Sequence, residues 1–330
     1  MMPLIHKSSS KLGIAQIIAF LAANEFYKNE SFMPFVDCCG ATYIAKNELE
    51  MERFKESSAK FKNLFRLDKN ELFIKKAMQI SPLKLREFLA NSLKIDFNTE
   101  FLGFKKCENV YKIHTTKGEY HADIIVLAGG ASANGILNGF DESLLLSAVR
   151  GQTTILAPFS ANHVLPLSQD GYICKAANST QIIGSSFDRE NLSLEIRKKD
   201  NIENLEKISA FLCEKPENLK ILGANVGLRS YSGDRFMLVS QLHDFNSFCN
   251  DYKALLWQKN KMQILPKPRY ENGVFISSAH GAHGLSTAIL AAEIIADLAL
   301  NRPLCVTHSL FSEFHSARFL IRKLKKGLLK

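Results

Sequence analysis

Several features that mark other protein classes are missing from this 330-residue sequence. Its seven cysteines include no Cys-x-x-Cys pair, which argues against a zinc ribbon or a disulfide framework and favours reduced cysteines in the core of a cytosolic protein. The segment Met1–Ser8 is too short and polar for a signal peptide, and no hydrophobic run reaches membrane-spanning length. These absences predict a globular cytoplasmic protein with no membrane partner.

The composition is ordinary for a globular protein, with 46% hydrophobic and 23% charged residues, and the chain is long enough for two lobes. The net charge of +9 suits an acidic partner such as RNA, and it equally suits a generic basic protein. The last residues, 318–330, hold six basic residues and no acidic one. This ending either contacts nucleic acid or a membrane surface, or is a solvated helix end whose Phe319, Leu320 and Leu324 are docked.

The first quarter of the chain alternates between helical and extended patterns. Helical spacing of apolar residues predicts a helix over 12–27 and a charged surface helix over 47–65, with a strand over 35–44 between them. Ser81–Pro82 predicts a helix start, because serine caps a helix and proline fits its first turn.

Two strand–glycine–helix patterns predict an α/β sheet domain, and the segment between them predicts another type of domain. After Asp123, residues 124–128 form an uninterrupted apolar strand pattern, typical of a strand buried on both faces, and Gly129–Gly130 follows. From Gly151 onward, short β segments and a charged helix over 192–213 predict an antiparallel sheet that carries a helix. We therefore predict an α/β fold with two lobes.

The second strand–glycine–helix pattern, Asn272–Thr287, is the most informative segment. Gly281 and Gly284 let a ligand approach the backbone, and the helix that follows offers unpaired N–H groups to an electron-rich group. His280 and His283 are three residues apart, but the glycines make a loop there and no acidic partner is near. The pattern therefore favours polar lining of a pocket over a metal site.

Two further signals are weak when taken alone. Gly129–Gly130 after a strand is compatible with a dinucleotide fold, but a tight turn explains a lone glycine pair more often, and the chain has no Gly-x-Gly-x-x-Gly motif. Arg229 lies at the end of a strand pattern, before the turn Ser232–Asp234. Its planar fork matches a carboxylate or a phosphate, whereas the alternative is a solvated surface arginine.

Taken together, these segments resemble the D-amino-acid-oxidase-like family of FAD-dependent oxidoreductases. The matching segments are Ile124–Gly130, Val149–Gln152, Gly184–Asp188, Gly227–Arg229 with Gly233–Asp234, and Ala279–Leu285. The resemblance implies an FAD/NAD(P)-binding-type sheet domain over 1–30, 76–150 and 270–330, and an antiparallel-sheet substrate domain over 31–75 and 151–269. Family members begin with a strand, a Gly-rich loop and a helix, whereas the first glycine here is Gly13. The resemblance therefore implies an N-terminally incomplete sheet domain, from an internally placed coding start or a truncated gene.

Within the family, three segments resemble members that act on the tRNA wobble uridine: Asp37–Thr42, Gly284–Ala288 and the basic ending Phe314–Gly327. The implied reaction is oxidative removal of the carboxymethyl group from 5-carboxymethylaminomethyl-(2-thio)uridine, which leaves 5-aminomethyluridine. The implied partners are tRNA and a separate methyltransferase. Two alternatives stay open: a small-amine oxidase that resembles glycine or D-amino-acid oxidases, and an inactive, RNA-binding remnant.

The resemblance also implies roles for individual residues. Arg229 and His283 would bind the substrate, Arg229 through the substrate carboxylate. FAD would be held by six positions, namely Gly129, Gly130, Gly281, Gly284, Leu285 and Ser286. We assign no catalytic acid or base, because an amine that arrives neutral needs none, and no metal ligand.

Overall fold

The computed structural model describes residues 1–108, 110–164, 166–257 and 264–328. The α-helices are α1 Lys11–Tyr27, α2 Glu48–Lys60, α3 Pro82–Ala90, α4 Asn134–Phe140, α5 Lys198–Ile208, α6 Phe245–Tyr252, α7 Gly284–Ala299, α8 His308–Phe314 and α9 Arg318–Lys325. The strands are β1 Val36–Asp37, β2 Ala41–Ile44, β3 Phe65–Asp68, β4 Glu71–Ile74, β5 Gln79–Ile80, β6 Phe101–Cys107, β7 Val110–Thr115, β8 Gly118–Ala122, β9 Ile125–Leu127, β10 Ser147–Leu156, β11 Leu167–Ser168, β12 Tyr172–Ile173, β13 Gln181–Gly184, β14 Ile221–Tyr231, β15 Leu238–His243 and β16 Tyr270–Ser278. This mixture of helices and sheets confirms the predicted α/β class.

The chain forms two compact units. The first unit contains Met1–Asn91, Ala148–Arg229 and Ala282–Ile289, and the second contains Ser92–Ser147, Ser230–Gly281 and Leu290–Lys330. The division into two compact units does not show which unit binds FAD and which binds the substrate. The predicted FAD-binding and substrate domains therefore stay a prediction.

Several helices begin where a polar side chain satisfies a free backbone N–H. The Ser10 hydroxyl accepts a hydrogen bond from the N–H of Gly13 at 3.1 Å and starts α1. The Asn47 side chain does the same for Glu50 at 3.0 Å and starts α2. Helix α3 begins at Pro82 as predicted, although the Ser81 side chain makes no capping hydrogen bond.

The first unit is built on an eight-stranded sheet in the order β14-β10-β13-β12-β11-β2-β4-β3. Strand β10 pairs antiparallel with β13, and β13 with β12, which confirms the antiparallel sheet predicted after Gly151. Helix α5 packs its buried Leu205 and Ile208 on this sheet, against the fully buried Ile173 and Ile183. The helix is shorter than the predicted range 192–213, because side-chain turns and backbone contacts to Arg150 hold residues 188–197 outside it.

The second unit contains two three-stranded sheets, β15-β16-β9 and β6-β7-β8. Strand β16 lies between an antiparallel partner, β15, and a parallel partner, β9. Its Val274 and Ile276 are fully buried in a core with Leu137 and Leu238. The parallel pair is the part of this sheet that carries the glycines predicted to bind a ligand.

The prediction that the apolar run 124–128 is buried on both faces is wrong. Ile125 and Leu127 are 6% and 7% exposed, whereas Ile124 and Val126 are 50% and 44% exposed. Strand β9 lies at the edge of its sheet, with β16 on one side and no other strand among the described residues. Its outer face is therefore largely uncovered in the part of the chain that the structure describes.

The structure describes the surroundings of the cysteines and the lengths of the apolar helices. All seven cysteines are free, but Cys38, Cys213 and Cys305 are exposed and the others are half-buried, so the prediction of core cysteines is wrong. The described residues include no helix with the length and apolarity needed to cross a membrane.

Candidate active site

Two glycine-containing segments follow the carboxyl ends of neighbouring parallel strands in the second unit. Strands β9 and β16 pair in register, with Ile125 opposite Val274 and Leu127 opposite Ile276. Both strands therefore end at the same edge of the sheet, and Gly129–Gly130 follows one while Ala279–Gly281 follows the other. Ligands of open α/β sheets bind outside the carboxyl ends of the strands, so this edge is the candidate cofactor site of the second unit.

The glycines at this edge differ in what they allow. Gly130 has φ +58°, is exposed, and has no atom within 4 Å of the place where a Cβ would lie. Gly281 has φ +57°, but a Cβ there would lie 2.7 Å from a ring carbon of Tyr231. Gly130 thus leaves backbone open to a ligand, whereas packing against Tyr231 is sufficient to require a glycine at position 281.

Helix α7 begins with backbone groups that are open to an electron-rich ligand. The N–H groups of Ser286 and Thr287 both donate to the carbonyl of His283 at 3.0 Å, and the Ser286 hydroxyl donates to it at 2.9 Å. The N–H groups of Gly284 and Leu285 have no acceptor among the described residues. Two orphan donors at the positive end of a helix suit an anion or a carbonyl oxygen.

Both histidines of the segment are held neutral. Burial lowers the pKa of His280 to about 4, and its Nε2 lies 3.1 Å from the hydroxyl of Ser277. Burial also lowers the pKa of His283, although a hydrogen bond to the backbone of Met2 acts in the opposite direction. No group of three or more potential ligand side chains among the described residues is arranged to hold a metal ion.

Arg229 is a cation whose hydrogen bonding is incomplete. Its Nη2 donates to the Ser185 hydroxyl at 2.9 Å, whereas its Nη1 is buried and has no partner in the described part of the chain. The guanidinium lies against Gly151, where a Cβ would be 2.1 Å from Nη1. A buried, unsatisfied guanidinium nitrogen is costly unless a ligand completes it, so the solvated surface arginine considered above is wrong.

The segment Val149–Gln152 supports the sheet beside Arg229. The fully buried Arg150 pairs with Asp200 and donates to the side chain of Gln152 at 3.0 Å and to the carbonyl of Glu195 at 2.6 Å. These contacts fix β10, which carries Gly151. The segment Val149–Gln152 therefore has a structural role. Sequence reasoning did not find Asp200 as the partner of Arg150, because Asp200 lies in α5, far away in the sequence.

The basic ending forms helix α9, and its Arg318 and Arg322 bind an acidic residue of the second unit. Arg318 is 7% exposed and donates two hydrogen bonds to the Asp234 carboxylate, at 3.0 and 2.9 Å, and Arg322 donates a third at 2.5 Å. Burial alone would raise the pKa of Asp234, but these bonds and charges lower it to about 2. Lys325 and Lys326 are exposed, and Lys330 lies outside the described residues.

The predicted site residues fall into two sets. Gly129, Gly130 and Gly281 belong to the second unit, at the edge formed by β9 and β16. The first unit contains the other set: Arg229, His283, Gly284, Leu285 and Ser286. No hydrogen bond joins Arg229 to His283 in the described structure. The contacts of Arg229 with Ser185 and Gly151 were missed, although both residues stand in segments that carry the family resemblance.

Comparisons with known proteins identify the family. The family model DAO, "FAD dependent oxidoreductase", matches residues 26–298. The chain is 39% identical over 338 residues to the "tRNA 5-methylaminomethyl-2-thiouridine biosynthesis bifunctional protein MnmC" of Campylobacter concisus (strain 13826), covering 99% of this chain and 53% of that protein. It is also 39% identical over 340 residues to the protein of the same name from Campylobacter fetus subsp. fetus (strain 82-40), covering 100% of this chain and 54% of the relative. The chain thus spans about half the length of the curated relatives it matches.

Solved structures show the same fold at low sequence identity. Glycine oxidase from Geobacillus kaustophilus superposes with a TM-score of 0.70 at 15% identity, covering 95% of this chain and 85% of that one. L-proline dehydrogenase from P. horikoshii superposes with a TM-score of 0.71 at 16% identity, covering 97% and 86%. The family model and the long alignments confirm the resemblance inferred from the sequence, and the chain belongs to the DAO family of FAD-dependent oxidoreductases.

Proposed function

We propose that this chain removes the carboxymethyl group from 5-carboxymethylaminomethyl-(2-thio)uridine at the tRNA wobble position, with FAD as cofactor, and leaves 5-aminomethyluridine. The relatives' name supports a substrate in the biosynthesis of 5-methylaminomethyl-2-thiouridine in tRNA. The observation that carries the proposal is the buried, unsatisfied Nη1 of Arg229, because the group to be removed ends in a carboxylate.

Arg229 would bind that carboxylate and orient the substrate. Its guanidinium has no acidic partner among the described residues, and Ser185 holds Nη2 in place. A carboxylate matches a guanidinium fork with two parallel hydrogen bonds, which fixes the direction of the amine arm. The adjacent methylene is then presented in one orientation, which raises the rate by positioning.

Each unit contains residues whose backbone groups fit an FAD ligand. The open backbone at Gly130, next to the exposed Gly129, allows a close approach at the strand edge, and the free N–H groups of Gly284 and Leu285 suit an electron-rich edge of the cofactor. The Ser286 hydroxyl donates a hydrogen bond to the carbonyl of His283 at the same helix start. When bound, FAD supplies the acceptor for the hydride that leaves the carbon next to the amine nitrogen.

The remaining chemistry needs water and no catalytic acid or base. Loss of a hydride and the amine proton leaves a C=N bond, which water hydrolyses to glyoxylate and the 5-aminomethyl group. His280 and His283 are neutral at pH 7 because burial lowers the pKa of each. They therefore add no positive charge that would compete with Arg229 for the carboxylate.

The proposed partners are tRNA and a methyltransferase, and the proposed location is the cytoplasm. The substrate tRNA would place the reaction in the cytoplasm, where the exposed Lys325 and Lys326 add to the net charge of +9 that favours RNA. The name of the curated relatives gives 5-methylaminomethyl-2-thiouridine, which carries one methyl group more than the 5-aminomethyl product proposed here. We include in the proposal a separate methyltransferase that uses the 5-aminomethyl product.

The test is conversion of the modified nucleoside. The full chain, supplied with FAD, is incubated with tRNA carrying 5-carboxymethylaminomethyluridine, and the digested nucleosides are identified by mass spectrometry. We expect 5-aminomethyluridine and glyoxylate, with loss of at least about a hundredfold in kcat/KM for Arg229→Ala and partial retention for Arg229→Lys.

Other outcomes identify the alternatives. Oxidation of free glycine without conversion of tRNA would show a small-amine oxidase. Absence of bound flavin and of product, in a folded protein that binds tRNA, would show an inactive remnant.

A further inference from the structure

A second arginine shares an aromatic neighbour with the guanidinium proposed to bind the substrate carboxylate. The Cζ of Arg229 lies 6.0 Å from the centre of the Phe187 ring, and the Cζ of Arg189 lies 5.6 Å from the same centre. Both distances are within the reach of cation–π attraction, so the ring holds two cations near it. The two guanidinium carbons therefore lie at most 11.6 Å apart, which is the sum of 6.0 and 5.6 Å. All three residues belong to the first unit.

Arg189 carries a positive charge that no carboxylate of the described structure binds. It is exposed, and its guanidinium forms no ion pair or hydrogen bond with the described residues. The carboxylate of Asp188, next to it in sequence, accepts a hydrogen bond from Arg197 at 2.9 Å. The same carboxylate accepts from the N–H groups of Glu190 and Asn191, both at 3.0 Å. Because Asp188 is already occupied by these donors, the charge of Arg189 is left for a ligand.

The backbone that carries Arg189 is held in place from one side. The N–H of Asp188 donates to the carbonyl of Arg150 at 3.0 Å, and the N–H of Arg150 donates to the carbonyl of Asp188 at 2.8 Å. Arg150 is itself fully buried within β10. Arg189 therefore extends from a fixed point, which lowers the entropic cost of binding a ligand to it.

Two arginines that lack carboxylate partners suit a ligand with two anionic groups. The Nη1 of Arg229 is unsatisfied, and the whole guanidinium of Arg189 is available. A free amino acid offers a single carboxylate. A nucleotide with a carboxymethylaminomethyl arm offers a carboxylate on the base and phosphates on the ribose, and a guanidinium fork matches both groups.

We propose that Arg189 binds a phosphate that flanks the target nucleotide, and thereby favours a nucleotide over a free amino acid. This inference rests on the proposed function, because it takes Arg229 as the carboxylate site. The extended arm places the carboxylate carbon about 5 Å from the pyrimidine C5, and the 5′-phosphate lies about as far from C5 again. The two anionic groups of one nucleotide therefore fall within the 11.6 Å limit that the Phe187 ring sets.

The experiment compares two ligands that differ only in phosphate. One is 5-carboxymethylaminomethyluridine, and the other is its 3′,5′-bisphosphate, which carries both phosphates that flank a nucleotide in RNA. Dissociation constants are measured by calorimetry on the FAD-loaded full chain at low salt, without oxygen and with the flavin already reduced, so that no turnover occurs. The variants are Arg189→Gln, Arg189→Lys and Arg229→Ala.

The matched control is Lys55→Gln, which removes the same charge from an exposed position of α2 in the same unit. Phe54 of α2 packs with Phe65 of β3 in one core cluster. In the eight-stranded sheet, β12, β11, β2 and β4 lie between β3 and β13, the strand that precedes Arg189. The control therefore separates a local phosphate contact from the loss of one charge elsewhere on the unit.

We expect the wild type to bind the bisphosphate about tenfold more tightly than the nucleoside, because a charge-assisted pair is added. Arg189→Gln should remove this advantage and leave the nucleoside unchanged, whereas Arg189→Lys should keep part of it. Arg229→Ala should weaken both ligands, and Lys55→Gln should weaken neither. The advantage that depends on Arg189 should shrink as the salt concentration rises.

Four results would overturn the inference. Equal affinity of the wild type for the two ligands, with both dependent on Arg229, would show a solvated Arg189 beside an intact carboxylate site. Equal weakening of both ligands by Arg189→Gln would mean that Arg189 acts only by positioning Arg229. An equal loss of bisphosphate binding in Lys55→Gln would show attraction by overall charge without a contact. Failure of the wild type to bind either ligand would reject the proposed function together with the phosphate site.

Discussion

The guanidinium of Arg229 occupies the space that a side chain at position 151 would need, since a Cβ on Gly151 would lie 2.1 Å from Nη1. Gly151→Ala should therefore displace Arg229 without unfolding the first unit, because the atoms that must move are the far end of a flexible side chain. We expect KM for the carboxylate substrate to rise at least about tenfold, while the melting temperature changes by a few degrees at most.

The matched control for that variant is Gly135→Ala, which adds a methyl group at an exposed position of α4, where no atom lies within 4 Å. The control should leave KM unchanged, as measured by steady-state kinetics beside thermal melting. An unchanged KM for Gly151→Ala would show that Arg229 binds no carboxylate in its observed position.

Asp234 links α9 to the rest of the second unit. Asp234→Asn should lower the free energy of unfolding at pH 7 by about 2–4 kcal/mol, because the buried Arg318 loses its counter-ion. Asp170→Asn, which removes an exposed partner of Lys46, should cost less than about 1 kcal/mol. Urea unfolding of the three proteins checks both values.

The same ion pair predicts an acid dependence of stability. The pKa of Asp234 is about 2 in the folded protein, below its ordinary value, so its contribution is complete above about pH 4 and is lost as the pH falls towards 2. The difference in unfolding free energy between the wild type and Asp234→Asn should therefore shrink between pH 4 and 2. A constant difference over that range would show that the carboxylate charge does not stabilise the fold.

Gly130 and Gly281 form a matched pair, because both have positive φ and only one is crowded. Alanine at either position pays the strain of the left-handed region, about 1–2 kcal/mol. Gly281→Ala must also move the Tyr231 ring, so we expect it to destabilise the protein by at least about 1 kcal/mol more than Gly130→Ala. Equal losses in chemical denaturation would mean that Tyr231 moves aside freely.

The pKa of His280 should lie far below that of an ordinary histidine. Burial lowers its pKa to about 4, so the unfolded chain binds a proton between about pH 6.5 and 4 that the folded chain does not bind. Stability should fall as the pH decreases through this window, by up to about 3 kcal/mol from this residue. NMR titration of the imidazole carbon signals measures the pKa directly, and a value above 6 would contradict the burial argument.

Local patterns predicted the parts of the fold that depend on neighbours in sequence. The strand–glycine–helix segment Asn272–Thr287 forms β16 and the start of α7 as expected, because a buried apolar run and a helical period are both local. The proline start of α3 is local in the same way.

Contacts between distant residues could not be predicted. The partners of Arg229 come from β10 and the end of β13, and Asp234 binds arginines more than 80 positions later. Val126 is 44% exposed because its face of β9 is largely uncovered among the described residues, which the apolar run of β9 does not encode. Sequence reasoning therefore gave Arg229 as a candidate, which stays a prediction, but not the contacts that leave its Nη1 unsatisfied.

The uncovered side of β9 has a practical consequence for handling the protein. Ile124 and Val126 present apolar side chains beside main-chain groups that have β16 on one side only within the described structure. Such an edge is open to extension by a strand from another molecule. We expect self-association to increase with protein concentration, and a lysine at position 126 to suppress it.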